Sequence, residues 1–364
     1  MLNLRKSSLV LHRYIGILAG LVVCIVGITG SLLVFEAEID RAFQPYQIVP
    51  QAEPLPHEQL ITAAQQVHPA LKPHRITVPD SIDRPYTVMM ADADDKFTDV
   101  MLDPYTGKVL ESKPWKQTLG GWLIDLHVHL FAGDLGGHIV GISAIALLLL
   151  SITGILLWTG WRKLKVGFKI RWQARWQILN YDLHNVGGIV SVVLLSLVAF
   201  TGAAMVYYTP VEAGLRWLIP SVPAPEVASQ VVAGKIPMTA DAILDIAQKR
   251  FPTGQLFKFY PAKTPESTFR VWLHLQGESN FTKDVNLDFD RYTGALLKVD
   301  DSRTAGLVDR ILSAQYTIHV GHYGGIVTKI IYGSIGLAPL GLFVTGGIIW
   351  WSRTYAAKPR RKLQ

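Results

Sequence analysis

The sequence predicts an α-helical membrane bundle of four transmembrane helices, arranged as two duplicated pairs, with two small α+β domains outside the membrane. Three observations predict it. First, four apolar stretches, Tyr14–Phe35, Ile139–Trp161, Val186–Tyr208 and Ile326–Trp351, meet the roughly 20 residues that a ~30 Å hydrocarbon core requires. Second, each stretch carries a Thr-Gly pair: Thr29-Gly30, Thr153-Gly154, Thr201-Gly202 and Thr345-Gly346. His12 and His184 each precede their pair by 17 residues, and His127 and His319 each precede theirs by 26. Span one therefore matches span three, and span two matches span four. Third, the segments between spans repeat as well. Asp103-Pro104-Tyr105-Thr106-Gly107 and Asp290-Arg291-Tyr292-Thr293-Gly294 read as the same strand–turn–strand, with Asp capping the turn and Gly supplying a positive φ.

The elements follow in order. Residues 1–35 hold a short basic start and the first span. The apolar run is too long for a signal peptide and no small-residue cleavage site follows it, so it reads as an uncleaved anchor. Residues 36–122 form the first outer domain. Its helical pattern is His57–Val67, and its alternating patterns are Arg84–Met90 and Thr98–Leu102. Residues 123–161 are the second span with its periplasmic lead-in, 162–185 a basic inner loop, and 186–208 the third span. Residues 209–318 form the second outer domain. Its helix is Thr239–Phe251, with Asp241 or Thr239 at the cap, and its strands are Thr268–Leu275 and Lys283–Phe289. Residues 319–352 are the fourth span with its own lead-in, and 353–364 a basic tail. Pro-rich stretches, Pro45–Pro56 and Pro220–Pro237, link these parts.

Charge sets the orientation. Arg5, Lys6, Arg13, Arg162, Lys163, Lys165, Lys169, Arg171, Arg175, Arg353, Lys358, Arg360, Arg361 and Lys362 are 14 basic residues beside one acid, Asp182. The rest of the chain holds 21 basic and 27 acidic residues. The positive-inside rule then predicts that both termini and the short loop are cytoplasmic and that the two long segments are periplasmic. The net charge of +7 is thus a topology signal and a contact with the lipid bilayer, not a nucleic-acid footprint. The single cysteine, Cys24, excludes an internal disulfide, a thiolate iron–sulfur centre and a structural zinc site. No phosphate loop, His-Glu-x-x-His or dinucleotide fingerprint occurs.

Paired histidines in a membrane bundle point to haem, because haem iron accepts an imidazole on each side and facing helices can present two. Four histidines stand out. His12 and His184 lie at the inner ends of outward-running spans and are expected to hold an inner haem. His127 and His319 begin the inward-running spans and are expected to hold an outer haem. No Cys-x-x-Cys-His occurs, so two non-covalent haem b groups with bis-histidine ligation are expected. One geometric tension remains: 26 residues of straight helix rise about 39 Å, more than the ~30 Å core. Gly133, Gly136 and Gly137 after His127, and Gly321, Gly324 and Gly325 after His319, let the chain fold back before each of these spans. His138, about three turns beyond His127 and on nearly the same face of a straight helix, is the alternate outer ligand, with His322 its partner. His129 is a further alternate.

Leu11-His12-Arg13-Tyr14-Ile15-Gly16, Leu126-His127 with Gly133, Ile318-His319-Val320-Gly321 and the Thr-Gly…Trp ends of spans two and four resemble the PepSY-associated transmembrane (PepSY_TM) family. The outer helix, strands and Asp-x-x-Thr-Gly turn resemble the PepSY domain, so the two periplasmic α+β domains are expected to be PepSY-like. The resemblance covers nearly the whole chain. Members of the family include a haem-containing ferric-siderophore reductase of the inner membrane and proteins of unknown activity. The resemblance therefore implies an oxidoreductase that passes electrons across the bacterial inner (cytoplasmic) membrane to a ferric siderophore, releasing Fe(II) for iron uptake. The electron donor, a quinol or a cytoplasmic reductase, comes from elsewhere, and the catalytic residues stay unassigned. The alternative is a non-redox membrane protein whose PepSY modules bind or regulate a peptide or protease.

Overall fold

The structure is a computed structural model that describes residues 2–43, 46, 48–51, 53–232 and 234–355. Lys358, Arg360, Arg361 and Lys362 of the basic tail lie outside the described residues, as do parts of both Pro-rich linkers. In chain order the helices are α1 (Leu2–Leu33), α2 (Glu36–Phe43), α3 (His57–Val67), α4 (Leu119–His129), α5 (Gly133–Leu157), α6 (Leu164–Gly167), α7 (Trp176–Val206), α8 (Tyr208–Leu218), α9 (Ala240–Arg250), α10 (Leu307–Val320) and α11 (Gly325–Tyr355). The strands are β1 (Lys72–Thr77), β2 (Tyr86–Ala91), β3 (Phe97–Leu102), β4 (Val109–Pro114), β5 (Gly254–Tyr260), β6 (Phe269–Leu275), β7 (Asp284–Phe289) and β8 (Leu296–Asp301). They divide into two units. One takes Met1–Ile39, Leu123–Gly214 and Gln315–Gln364, and the other takes Asp40–Trp122 and Leu215–Ala314.

The first unit is the bundle. Four of its segments are long and apolar enough to cross a membrane: Leu4–Leu33, Gly133–Trp161, Trp176–Val206 and His322–Thr354. Their helices pack as a closed ring, α1 on α5, α5 on α7, α7 on α11 and α11 on α1. Equivalent helices of the two repeats, α1 with α7 and α5 with α11, therefore stand diagonally across it. Small residues permit the close packing. Where α1 meets α11, Ser31 Oγ donates to the Gly333 carbonyl at 2.8 Å, and a Cβ on Gly27 would stand 2.4 Å from the Gly336 carbonyl oxygen. The expected fold-back is present before both α5 and α11. Leu130, Phe131 and Gly133 have φ of 49°, 59° and 54°, and Gly321 and Gly325 have φ of 69° and 63°. His127 and His319 thus sit on the short helices α4 and α10, not on the spans themselves.

The second unit is one eight-stranded antiparallel sheet, β4-β3-β2-β1-β5-β6-β7-β8. The two outer repeats meet at β1 and β5, where Ile76 pairs with Phe259 and Thr77 with Lys258. Helices α3 and α9 cover one face. Leu60, Ile76, Val88, Ile243, Val271 and Leu287 are sealed beneath them in one shared core, each contributing about 2 kcal/mol. The helix starts cap each other across the repeats. Asp241 accepts from the His57 and Glu58 amides at 2.9 and 3.1 Å, and Glu58 accepts from the Ala240 amide at 2.8 Å. Of the two caps expected for α9, Thr239 fills the place, accepting from the Ala242 amide at 3.4 Å. Asp103 and Asp290 close their turns as the motif requires, each accepting from the Tyr amide two residues on at 2.9 Å. Gly107 and Gly294 both have φ of 70°.

Candidate functional site

The four histidines form two facing pairs. The His12 and His184 ring centres are 6.2 Å apart, and those of His127 and His319 are 6.3 Å apart. His12 on α1 meets His184 on α7, so this pair faces across the diagonal of the ring. Along α1, His12 and Thr29, which bonds His127, are 17 residues apart. That places the two pairs about 25 Å apart along the helix axis.

Each imidazole rests on a Thr-Gly pair of a neighbouring helix. The Nδ1–Oγ1 distances are 2.9 Å for His12 on Thr153, 3.0 Å for His127 on Thr29, 3.0 Å for His184 on Thr345 and 3.0 Å for His319 on Thr201. The direction of these bonds is determined. Each threonine hydroxyl gives its one proton to the helix carbonyl four residues back: Thr29 to Ile25 at 2.8 Å, Thr153 to Leu149 at 2.7 Å, Thr201 to Leu197 at 2.9 Å and Thr345 to Gly341 at 2.6 Å. Its oxygen is then left to accept, so Nδ1–H must donate. The Val198 carbonyl, 3.1 Å from His319 Nδ1, requires the same. The carbonyls of Leu150, Val26 and Leu342 stand in the same place for the other three. With Nδ1 protonated, the lone pair of every neutral ring is on Nε2, the form that binds a metal.

The glycine beside each threonine makes room for the ring. A Cβ on Gly30 or Gly202 would lie 3.0 Å from the Cε1 of His127 or His319. On Gly346 it would lie 3.2 Å from His184, and on Gly154 3.5 Å from His12. The Thr-Gly pair is therefore one device: a hydroxyl that orients the imidazole and a bare helix surface that leaves room for the Cε1 edge of the ring.

The donor set can be tested against haem. A metal–imidazole nitrogen bond of about 2 Å puts each ring centre about 3 Å from the metal, so two rings on opposite sides stand about 6 Å apart. Both pairs meet that spacing. Among the described residues no group of three or more His, Cys, Asp or Glu gathers around a common point. Two imidazoles alone suit a metal whose other ligands come with it, as in a macrocycle.

The alternates go elsewhere. His138 stacks on Tyr207 with ring centres 6.3 Å apart. His322 Nε2 lies 3.3 Å from the Val34 carbonyl, and His129 lies 3.4 Å from Asp125. A straight helix would put His138 on the same face as His127, but the turn at Leu130–Gly133 breaks that register. Tyr105 of the first turn is buried in the sheet unit, its hydroxyl donating to the Ile82 carbonyl at 3.2 Å.

Sequence reasoning misses the threonines' role, because Thr-Gly serves there only as a repeat marker. The order of the spans carries only part of the signal. An antiparallel neighbour brings the end of its span beside the start of α1, which keeps His12 from its own Thr29, but α1 packs on both α5 and α11, and the order of the spans does not say which of them supplies the threonine. Comparison with known families matches residues 9–353 to the family described as PepSY-associated TM region. No curated protein matches the chain.

Proposed function

We propose, for a chain that belongs to the PepSY-associated TM region family, an electron-transfer role: a two-haem b-type protein of the bacterial inner membrane that carries electrons across it to reduce a ferric siderophore in the periplasm. The observation that carries this reading is the pair of facing imidazole pairs, each ring oriented by a threonine through Nδ1. His12 with His184 would hold the inner haem and His127 with His319 the outer one. Haem bound between two imidazoles supplies reversible one-electron exchange. The protein's part is to present Nε2, to keep each ring from turning, and to hold the two sites at opposite ends of a bundle long enough to span the bilayer.

The 14 basic residues of the termini and short loop support a cytoplasmic placement of those parts and a periplasmic placement of the sheet unit. Ferric siderophore as acceptor rests on family kinship. Reduction weakens the hold of hard oxygen donors on iron, which frees it for uptake. A quinol or a cytoplasmic reductase supplies the electrons. The test is spectroscopic. Purified protein should show a haem band that shifts on dithionite reduction, and anaerobic stopped-flow should show reoxidation that scales with ferric-siderophore concentration. A protein without any haem band would pass the chain to the non-redox reading, in which PepSY modules bind a peptide or protease. Reoxidation indifferent to the chelate would remove the siderophore.

A further inference from the structure

The sheet face opposite α3 and α9 carries a second cluster. Its residues lie on three adjacent central strands: Arg75 on β1, Lys258 and Tyr260 on β5, and Trp272 on β6. Thr77 pairs with Lys258 and Lys258 with Trp272 in one row, and Arg75 and Tyr260 lie two residues along on the same face. Lys258 Nζ stands 4.2 Å from the Trp272 ring centre and 4.7 Å from that of Phe257. Burial, with Arg75 nearby, holds its ammonium below the usual lysine range, at about 8. The Arg75 guanidinium stands beside the Tyr260 hydroxyl.

Among the described residues neither Arg75 nor Lys258 has an ion-pair partner. The acids nearby are committed or distant. Asp288 holds Arg270 at 2.9 Å and Asp284 holds His274 at 3.1 Å. Asp99 lies on β3, two strands from Arg75 with Met89 between them in the register, and feels its charge without pairing to it. Meanwhile Arg75 Nε and Trp272 Nε1 are buried donors with no hydrogen-bond partner. The next residue in the row, Asn286, leaves its Oδ1 equally unpaired. Turned over, that amide offers N–H there too. Two cations that make no ion pair, two orphan N–H donors and an aromatic floor are the complement of a planar oxyanion.

We propose that Arg75, Lys258 and Trp272 form a binding site for a small carboxylate. The guanidinium and indole N–H groups would take its oxygens, the ammonium would neutralise it, and the Trp272 and Phe257 rings would support its carbon skeleton. Two sources offer this chemistry: a free organic acid, or a carboxylate arm of a ferric chelate. The site does not depend on the histidine pairs, so its test is separate from that of the redox reading.

Isothermal titration of the oxidised, detergent-purified full chain with citrate, with ferric citrate and with inorganic phosphate reads it directly. Saturable citrate binding is expected, weakened about tenfold or more by Arg75→Gln or Lys258→Met. Lys298→Gln, which removes a lysine already paired with Asp300 on the same sheet, should leave it unchanged. Trp272→Phe keeps one aromatic ring while removing the indole N–H, and a severalfold loss is expected even where a charge variant fails to fold. Binding of ferric citrate but not citrate would assign the site to a chelate, and the reverse to a free acid. Phosphate binding as tight as citrate's, equal loss in Lys298→Gln, or no saturable heat from either citrate form would overturn the proposal.

Discussion

Among the described residues, the buried side-chain polar atoms left without a hydrogen-bond partner all lie in the sheet unit and none in the bundle. In the bundle, each of the four paired imidazoles has a threonine hydroxyl within 3.0 Å, and the buried Asp182 is gripped by both guanidinium arms of Arg171 at 2.7 and 2.8 Å. In the sheet, His74 Nδ1, Arg75 Nε, Asp99 Oδ1, Trp272 Nε1, Asn286 Oδ1 and Arg291 Nε are buried without a partner. A satisfied polar group locks geometry and is costly to disturb. An unsatisfied one costs stability and is open to a ligand. The difference is what the proposed cofactor cradle in one region and the proposed exchangeable binding surface in the other would require.

The largest expected effect tests the cradle. His12→Ala and His184→Ala should each remove the same haem, and the double variant no more than either. His127→Ala and His319→Ala should do the same for the other. Haem stoichiometry and the two reduction steps in a redox titration read the result. Depletion of different haems by His12→Ala and His184→Ala would break the diagonal pairing.

A smaller effect is expected one atom further out. Thr201→Val keeps the branched shape but removes the oxygen that accepts from His319. Haem retention at the outer site should fall about 10- to 100-fold, with a shifted potential, and Thr201→Ser should restore both. A valine variant indistinguishable from the parent would show that the hydroxyl does not orient the ring.

The smallest effect has the opposite sign and belongs to the sheet. Burial pushes the Asp99 carboxyl up to about 6, against the pull of Arg75 and Lys113, while an unfolded aspartate titrates near 4. Between those values the folded chain binds more protons than the unfolded one. Stability contributed by this group therefore falls as pH rises from about 4 to about 6 and is level above. Asp99→Asn should thus raise unfolding stability at pH 7 by on the order of 1–3 kcal/mol and leave it unchanged at pH 4, measured by denaturant titration of tryptophan fluorescence. A loss at pH 7 would mean that the carboxylate has a partner in the native state, and the contrast between the two regions would fail at that point.

Some features were legible because their cause is local. Four spans follow from run length. The His57–Val67 helix follows from its period, and both Asp-x-Tyr-Thr-Gly turns follow from a capping carboxylate and a glycine at positive φ. The matched spacings singled out the four histidines that the structure brings together. Strands β1 and β5 were not legible. Lys-Pro-His-Arg-Ile-Thr alternates poorly, and each strand is interrupted by a register shift, near His74 and near Phe257. The joining of both outer repeats into one sheet, which depends on those two strands, was hidden with them.

By itself, then, the sequence determined the spans, the duplication and which histidines belong together, since each is written in periodicity and spacing along one chain. Only the tertiary structure decided that a histidine takes its threonine from a neighbouring helix, that α4 and α10 turn away from their spans, and that two repeats close one sheet. The physical reason is that these depend on which surfaces meet, and partners 98 to 161 residues apart leave no local pattern to announce the meeting.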